Sequence, residues 1–105
     1  MTTVWYARRH FPGAKREEDI AMTSKTSGPF DTELEAIQGT ADLLRNEARA
    51  LLRLTSSGAG GDHALELAEL AGAVAGHQPR RTDTPGGGVT DSAGVRWSWY
   101  SVERP

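Results

Sequence analysis

The sequence predicts an α+β domain: a small antiparallel sheet made from the two ends of the chain, covered on one face by a two-helix hairpin. Two observations predict it. All the aromatic residues except Phe30 fall in two terminal stretches, Trp5 to Phe11 and Trp97 to Tyr100. Between them runs a leucine- and alanine-rich middle with the three-four apolar spacing of helices.

The first element is a strand over Thr3 to Phe11. "TVWYARRHF" is rich in β-branched and aromatic residues and stops at the turn signal Pro12-Gly13. Alternation sets Val4, Tyr6, Arg8 and His10 on one face and Trp5, Ala7, Arg9 and Phe11 on the other. The second set is the expected buried face, with Arg9 near its edge. After a charged, turn-rich stretch, "DIAMTSKTS" is expected to form another strand near 19–26, a hairpin partner of the first, with Ile20, Met22 and Ser24 sharing a face.

The strongest local signal is "SGPFDTELEAIQGTADLLRNEARALLRLT". Thr32 and Glu35 have capping-box spacing, in which each side chain satisfies a free donor at the helix start. Asp31, Glu33 and Glu35 gather at the beginning and Arg45, Arg49 and Arg53 toward the end, as the helix dipole favours. Leu34, Ile37, Ala41, Leu44, Ala48 and Leu51 make the apolar seam, widened by Leu43, Ala50 and Leu54. "TSSGAGGD" breaks the chain, and Asp62 is the expected cap of a second helix that stops near Gly76, ahead of Pro79. In it Ala64, Ala68, Gly72 and Gly76 form a strip of little bulk, flanked by Leu67, Leu70 and Val74.

"HQPRRTDTPGGGVTDSAG" reads as loop. The final strand places Val95, Trp97, Trp99 and Ser101 against Arg96, Ser98, Tyr100 and Val102. With the terminal strands paired, Trp5, Trp97 and Trp99 are expected to fill the space beneath the helices. Burial of each such side chain is worth roughly 2–3 kcal/mol. The whole of 1–105 is expected to be one domain, with flexible loops near 12–19, 55–61 and 78–93.

Composition narrows the function. A net charge of −2 supplies no global pull toward nucleic acid or anionic membranes, so anion binding would need a local patch. Without cysteine there is neither a disulfide nor a thiolate metal site. No apolar run is long enough to span a bilayer and the N-terminus has no signal-peptide pattern, so the expectation is a cytoplasmic protein without membrane contact. Arginine-dominated cations and abundant alanine and glycine suit a GC-rich genome, such as that of an actinobacterium or one of its phages.

His10, His63 and His77 lack metal-ligand spacing, neither glycine-rich loop has the lysine and hydroxyl residue of a phosphate cradle, and no serine sits in a nucleophile elbow. No catalytic, cofactor-binding or metal residue is assigned, and no cofactor is expected. His63 and His77 are expected at the surface or in capping roles.

Two binding readings stand. The first is a non-catalytic interaction protein that binds another protein or itself as a homodimer, because the apolar arc of the helices exceeds what a small sheet covers. Leu43, Ala50, Leu54, Leu67 and Leu70 are its candidate interface. The alternative is a nucleic-acid-binding module that uses a sheet face bearing Tyr6, Arg8, His10, Arg96 and Tyr100, with Arg9 and Arg104 adding to the basic content of the strands. An enzyme ranks third, since no pair of carboxylates is singled out as acid and base.

Overall fold

The computed structural model describes residues 2–11, 25–54, 59–77 and 86–104. In chain order they form β1 (Thr2–His10), β2 (Lys25–Phe30), α1 (Glu33–Leu54), α2 (Ala59–Ala75), β3 (Gly87–Thr90) and β4 (Arg96–Arg104). The strands make one antiparallel sheet in the order β2-β1-β4-β3, so the two ends of the chain lie side by side at its centre. β1 and β4 pair without interruption from Thr2↔Arg104 to His10↔Arg96.

The helices cover one face. α1 lies across β1, β4 and β2, while α2 packs against α1 and reaches the sheet at β3. The helix-facing set of β4 behaves as its alternation predicts: Trp97 and Trp99 are buried against Ile37, Leu44, Leu67 and Val74. Trp5 faces the same way but is only half-buried, beside Phe30 of β2. Each buried indole N–H has an acceptor. Trp97 Nε1 donates to Asp91 Oδ2 at 3.1 Å, and Trp99 Nε1 to Glu33 Oε1 at 3.1 Å.

Half of the capping box forms as read: the Thr32 side chain takes a backbone N–H, while the Glu35 carboxylate takes the Thr32 hydroxyl instead of a backbone donor. Glu35 N donates to Thr32 Oγ1 at 3.2 Å, and the Thr32 hydroxyl donates to Glu35 Oε1 at 3.2 Å. In the middle of α1, the buried Thr40 donates back to Ala36 O at 2.9 Å and across to Ser98 O at 3.3 Å, tying the helix to β4.

Four expectations change. The second strand is β2 at 25–30; of the expected 19–26, only Lys25 and Thr26 lie among the described residues. Its later part, Ser27 to Phe30, had looked like the approach to the helix. It is held as a strand by pairing with β1, and the tip of the Phe30 ring reaches α1 at Gly39, where an added Cβ would stand 2.7 Å from Cζ. Leu34 leaves the seam and is 49% exposed. α2 ends level with Gln38, whose Nε2 donates to Ala75 O at 3.4 Å, so α2 does not flank the first turn of α1.

The other two changes concern loops. α2 begins at Ala59, within the expected loop at 55–61 and ahead of the expected cap at Asp62. The stretch 87–90, expected as part of a loop at 78–93, is β3. Glycine there serves a close approach: an added Cβ on Gly87 would stand 2.8 Å from Trp99 Cζ2, so the indole lies directly over the strand backbone. The expected loop at 12–19, like 55–58 and 78–85, lies outside the described residues.

Candidate functional site

Two surfaces are candidates, one on each side of the molecule. The first follows from the period of two along β1 and β4. Register pairs share a face, so Val4↔Val102, Tyr6↔Tyr100, Arg8↔Ser98 and His10↔Arg96 all lie on the side away from the helices. The structure thus brings together all five residues expected on the basic-aromatic face.

At its centre the Tyr6 and Tyr100 rings stack, with centroids 5.7 Å apart and planes inclined by 24°. Toward one end stand Arg8, His10 and Arg96. Arg96 Nη1 donates to Thr90 Oγ1 at 3.5 Å, while Arg8 has no carboxylate at ion-pair distance among the described residues. The imidazole of His10 is held below its ordinary pKa by burial first, then by the charges of Arg8 and Arg96. Its Nδ1 is enclosed without a hydrogen-bond partner among the described residues.

The second surface is a groove between α1 and α2 on the side away from the sheet, with a volume of about 490 Å³. Its floor is Ala48 and Ala64, its walls are Leu52 and Leu65, and Arg45 and Arg49 stand on the α1 rim. Leu52 and Leu65 are each 60% exposed. The strip of small residues lies on this flank of α2: Ala68 lines the groove, and Gly72 has open space where a Cβ would be.

The residues expected at a protein interface divide differently. Leu43 and Leu67 are buried in the core and are consumed by the fold, Ala50 and Leu70 are half-buried, and Leu54 is the last residue of α1. Sequence reasoning followed the seam beneath α1 and passed over Leu52 and Leu65. The signal for Leu52 was present as a second helical stripe, Arg45–Ala48–Leu52, beside the first.

A polar cluster joins α2 to the turn between β3 and β4. Asp91, its side chain 1% exposed, accepts from Ala93 N, Val95 N and the Trp97 indole. His63 Nδ1 stands 3.2 Å from Glu66 Oε1, and the same oxygen accepts from Ser92 Oγ at 2.8 Å. The serine proton is thus directed to a carboxylate and away from the imidazole, an arrangement that clamps the turn instead of activating a nucleophile. His63 is therefore half-buried in a network, and His77 meets the Trp99 ring edge-on at 5.1 Å.

Among the described residues, no three His, Cys, Asp or Glu side chains are placed to hold a metal, and no helix is long and apolar enough to cross a membrane. Comparison with protein-family models, with curated proteins and with solved structures finds no match for this chain.

Proposed function

We propose that this chain is a non-catalytic interaction protein that works as a homodimer, each copy laying its helical hairpin on that of the other. The observation that carries the reading is the pair of leucines, Leu52 and Leu65, lining one apolar groove while mostly open to water.

Charge selects a second copy as the occupant. The α1 rim carries Arg45 and Arg49, while Asp62 and Glu69 share the exposed face of α2 with Leu65, at offsets of three and four residues. Asp62, Glu69 and Arg49 have no ion-pair partner among the described residues. The hairpin is antiparallel and Gln38 meets Ala75, so Arg45 lies level with Ala68 and Leu52 with Gly61. A two-fold axis along the helices preserves these levels and sets α1 over α2 of the second copy. Arg45 then faces Glu69 of the second copy, and Leu52 comes within about 6 Å, roughly one helical turn, of the level of its Leu65. At 17 residues α2 is about 25 Å long, and two helices are about 20 Å across, a footprint on the order of 500 Å². That is a small interface and implies a concentration-dependent dimer. The bias toward arginine, alanine and glycine supports a GC-rich bacterium or its phage as the source.

Light scattering from micromolar to millimolar protein tests the dimer. The mass is expected to climb from monomer toward twice that value. Glu69→Arg and Arg45→Glu are each expected to weaken association about tenfold or more, and the double variant to restore it. A strictly monomeric protein throughout the range overturns the reading. Single variants that lose association, with no recovery in the double, would move the interface elsewhere.

A further inference from the structure

We propose that the sheet face away from the helices, which no described element covers, is a second binding site, for single-stranded nucleic acid, with Tyr6 and Tyr100 engaging bases and Arg8 and Arg96 engaging phosphates.

The first support is segregation of charge. Among the described residues the carboxylates lie on α1 and α2, in the connections at Asp31 and Asp91, and at Glu103. Glu103 pairs with Thr3, on the helix-facing set of the strands. None belongs to the face that carries Arg8, His10 and Arg96. A chain of net charge −2 therefore presents one side that is cationic or neutral wherever it is described. Such a field turns that side toward a polyanion.

The second support is the lack of counterions. Arg9, on the helix side of the same strand, is matched by Glu47 at 3.4 Å. Arg8 has no such partner among the described residues, and Arg96 is bonded to a neutral hydroxyl. Like charges gathered in this way repel, and the imidazole beside them resists protonation first through its burial and then through these two charges. A bound phosphate removes that repulsion.

The third support is the shape beside the tyrosines. Tyr6 leans on Gly28 of β2, with its Cδ1 3.0 Å from the position a Cβ there would take. On the other flank, Gly88 of β3 pairs with Ser98, and Gly86 lies beside the Cα of Tyr100. Neither glycine raises a side chain next to the outer face of the Tyr100 ring, so among the described residues nothing on β3 obstructs a planar base stacking there. Arg96 lies four residues along the same strand, about 13 Å away. Stacking at the centre of the face and cations toward one end match the bases and phosphates of a few nucleotides of extended strand. A dimer joined through its helices leaves both sheets facing outward, so the two sites do not compete.

Fluorescence anisotropy with short labelled oligothymidine and oligouridine at low salt tests the proposal. Saturable binding is expected, with duplex of the same length bound more weakly. Tyr100→Ala is expected to weaken binding about tenfold without changing its salt dependence. Arg8→Ala and Arg96→Ala are each expected to lower the slope of log affinity against log salt by about 0.7. Arg8→Lys is expected to keep the slope, and circular dichroism checks that every variant is folded. Glu69→Arg, which targets the dimer, is expected to bind each strand as the wild type does. Absence of single-strand binding by the wild type overturns the proposal. So does binding indifferent to both arginines, or equal affinity for polyglutamate, which shares the charge but has no bases and would assign the face to acidic peptides.

Discussion

Arg8 and Arg9 are neighbours in the chain and opposites in the molecule. Arg9 points beneath the helices, where its guanidinium lies 5.6 Å from the centre of the Trp97 ring and 3.4 Å from Glu47. Arg8 points the other way, onto a face with no carboxylate at ion-pair distance among the described residues. The strand period of two gives one residue type a structural role on one side and leaves it available on the other. The same division runs through the whole sheet. Trp97 and Trp99 build the core, while Tyr6 and Tyr100 stack on each other outside it. Aromatic content alone does not distinguish a core from a binding surface; the covering layer does.

The largest test of this contrast sets Trp97→Ala against Tyr100→Ala. Removing the buried indole is expected to cost about 3–5 kcal/mol in urea denaturation, because it opens a cavity and strands Asp91 without one of its donors. Loss of Tyr100 is expected to cost about 1 kcal/mol, the value of a cross-strand aromatic pair. Equal losses would mean that the second face is also core.

Glycines give the next contrast. Gly39→Ala places a methyl group 2.7 Å from Phe30 Cζ and is expected to destabilise by about 1–3 kcal/mol. Gly72→Ala meets open space in the same helical layer and is expected to stabilise by about 0.5–1 kcal/mol, read from thermal midpoints at low protein concentration. A loss at Gly72 would show that its flank of α2 is covered.

Smaller again is the arginine pair itself. Arg9→Ala gives up a partly exposed ion pair and a cation–π contact, an expected cost of about 1 kcal/mol. Arg8→Ala is expected to change stability by less than about 0.5 kcal/mol. Equal effects in chemical denaturation would show that Arg8 has a structural partner.

The smallest effect is in pH. The pKa of His10 lies below its ordinary value of 6.5, chiefly through burial and then through Arg8 and Arg96. Between the folded and unfolded values the unfolded chain therefore binds more protons. The contribution of His10 to stability is complete above about pH 6.5 and declines as pH falls toward the folded value. His10→Gln is expected to flatten the stability profile across that interval, and an unchanged profile would remove His10 from the account.

Much of this was legible in the chain. Thr32 and Glu35 announce the start of α1 because capping is local chemistry that needs no distant partner. The five residues of the open face were grouped correctly because alternation is a property of extended backbone. Leu52, Leu65 and Asp91 were not legible in the same way. An exposed leucine and a buried leucine have the same helical spacing, and only the position of α2 distinguishes them. Asp91 reads as an ordinary loop acid until the Trp97 indole and two backbone amides converge on it.

The sequence by itself determined which residues share a face, since the periods of strand and helix are set by backbone geometry. Tertiary structure alone decided which faces are covered. Leu34 opens to water because α2 stops level with Gln38, and a glycine, Gly87, takes a strand position because the Trp99 ring lies on its backbone. Burial belongs to a pair of surfaces, and one stretch of chain specifies only its own half.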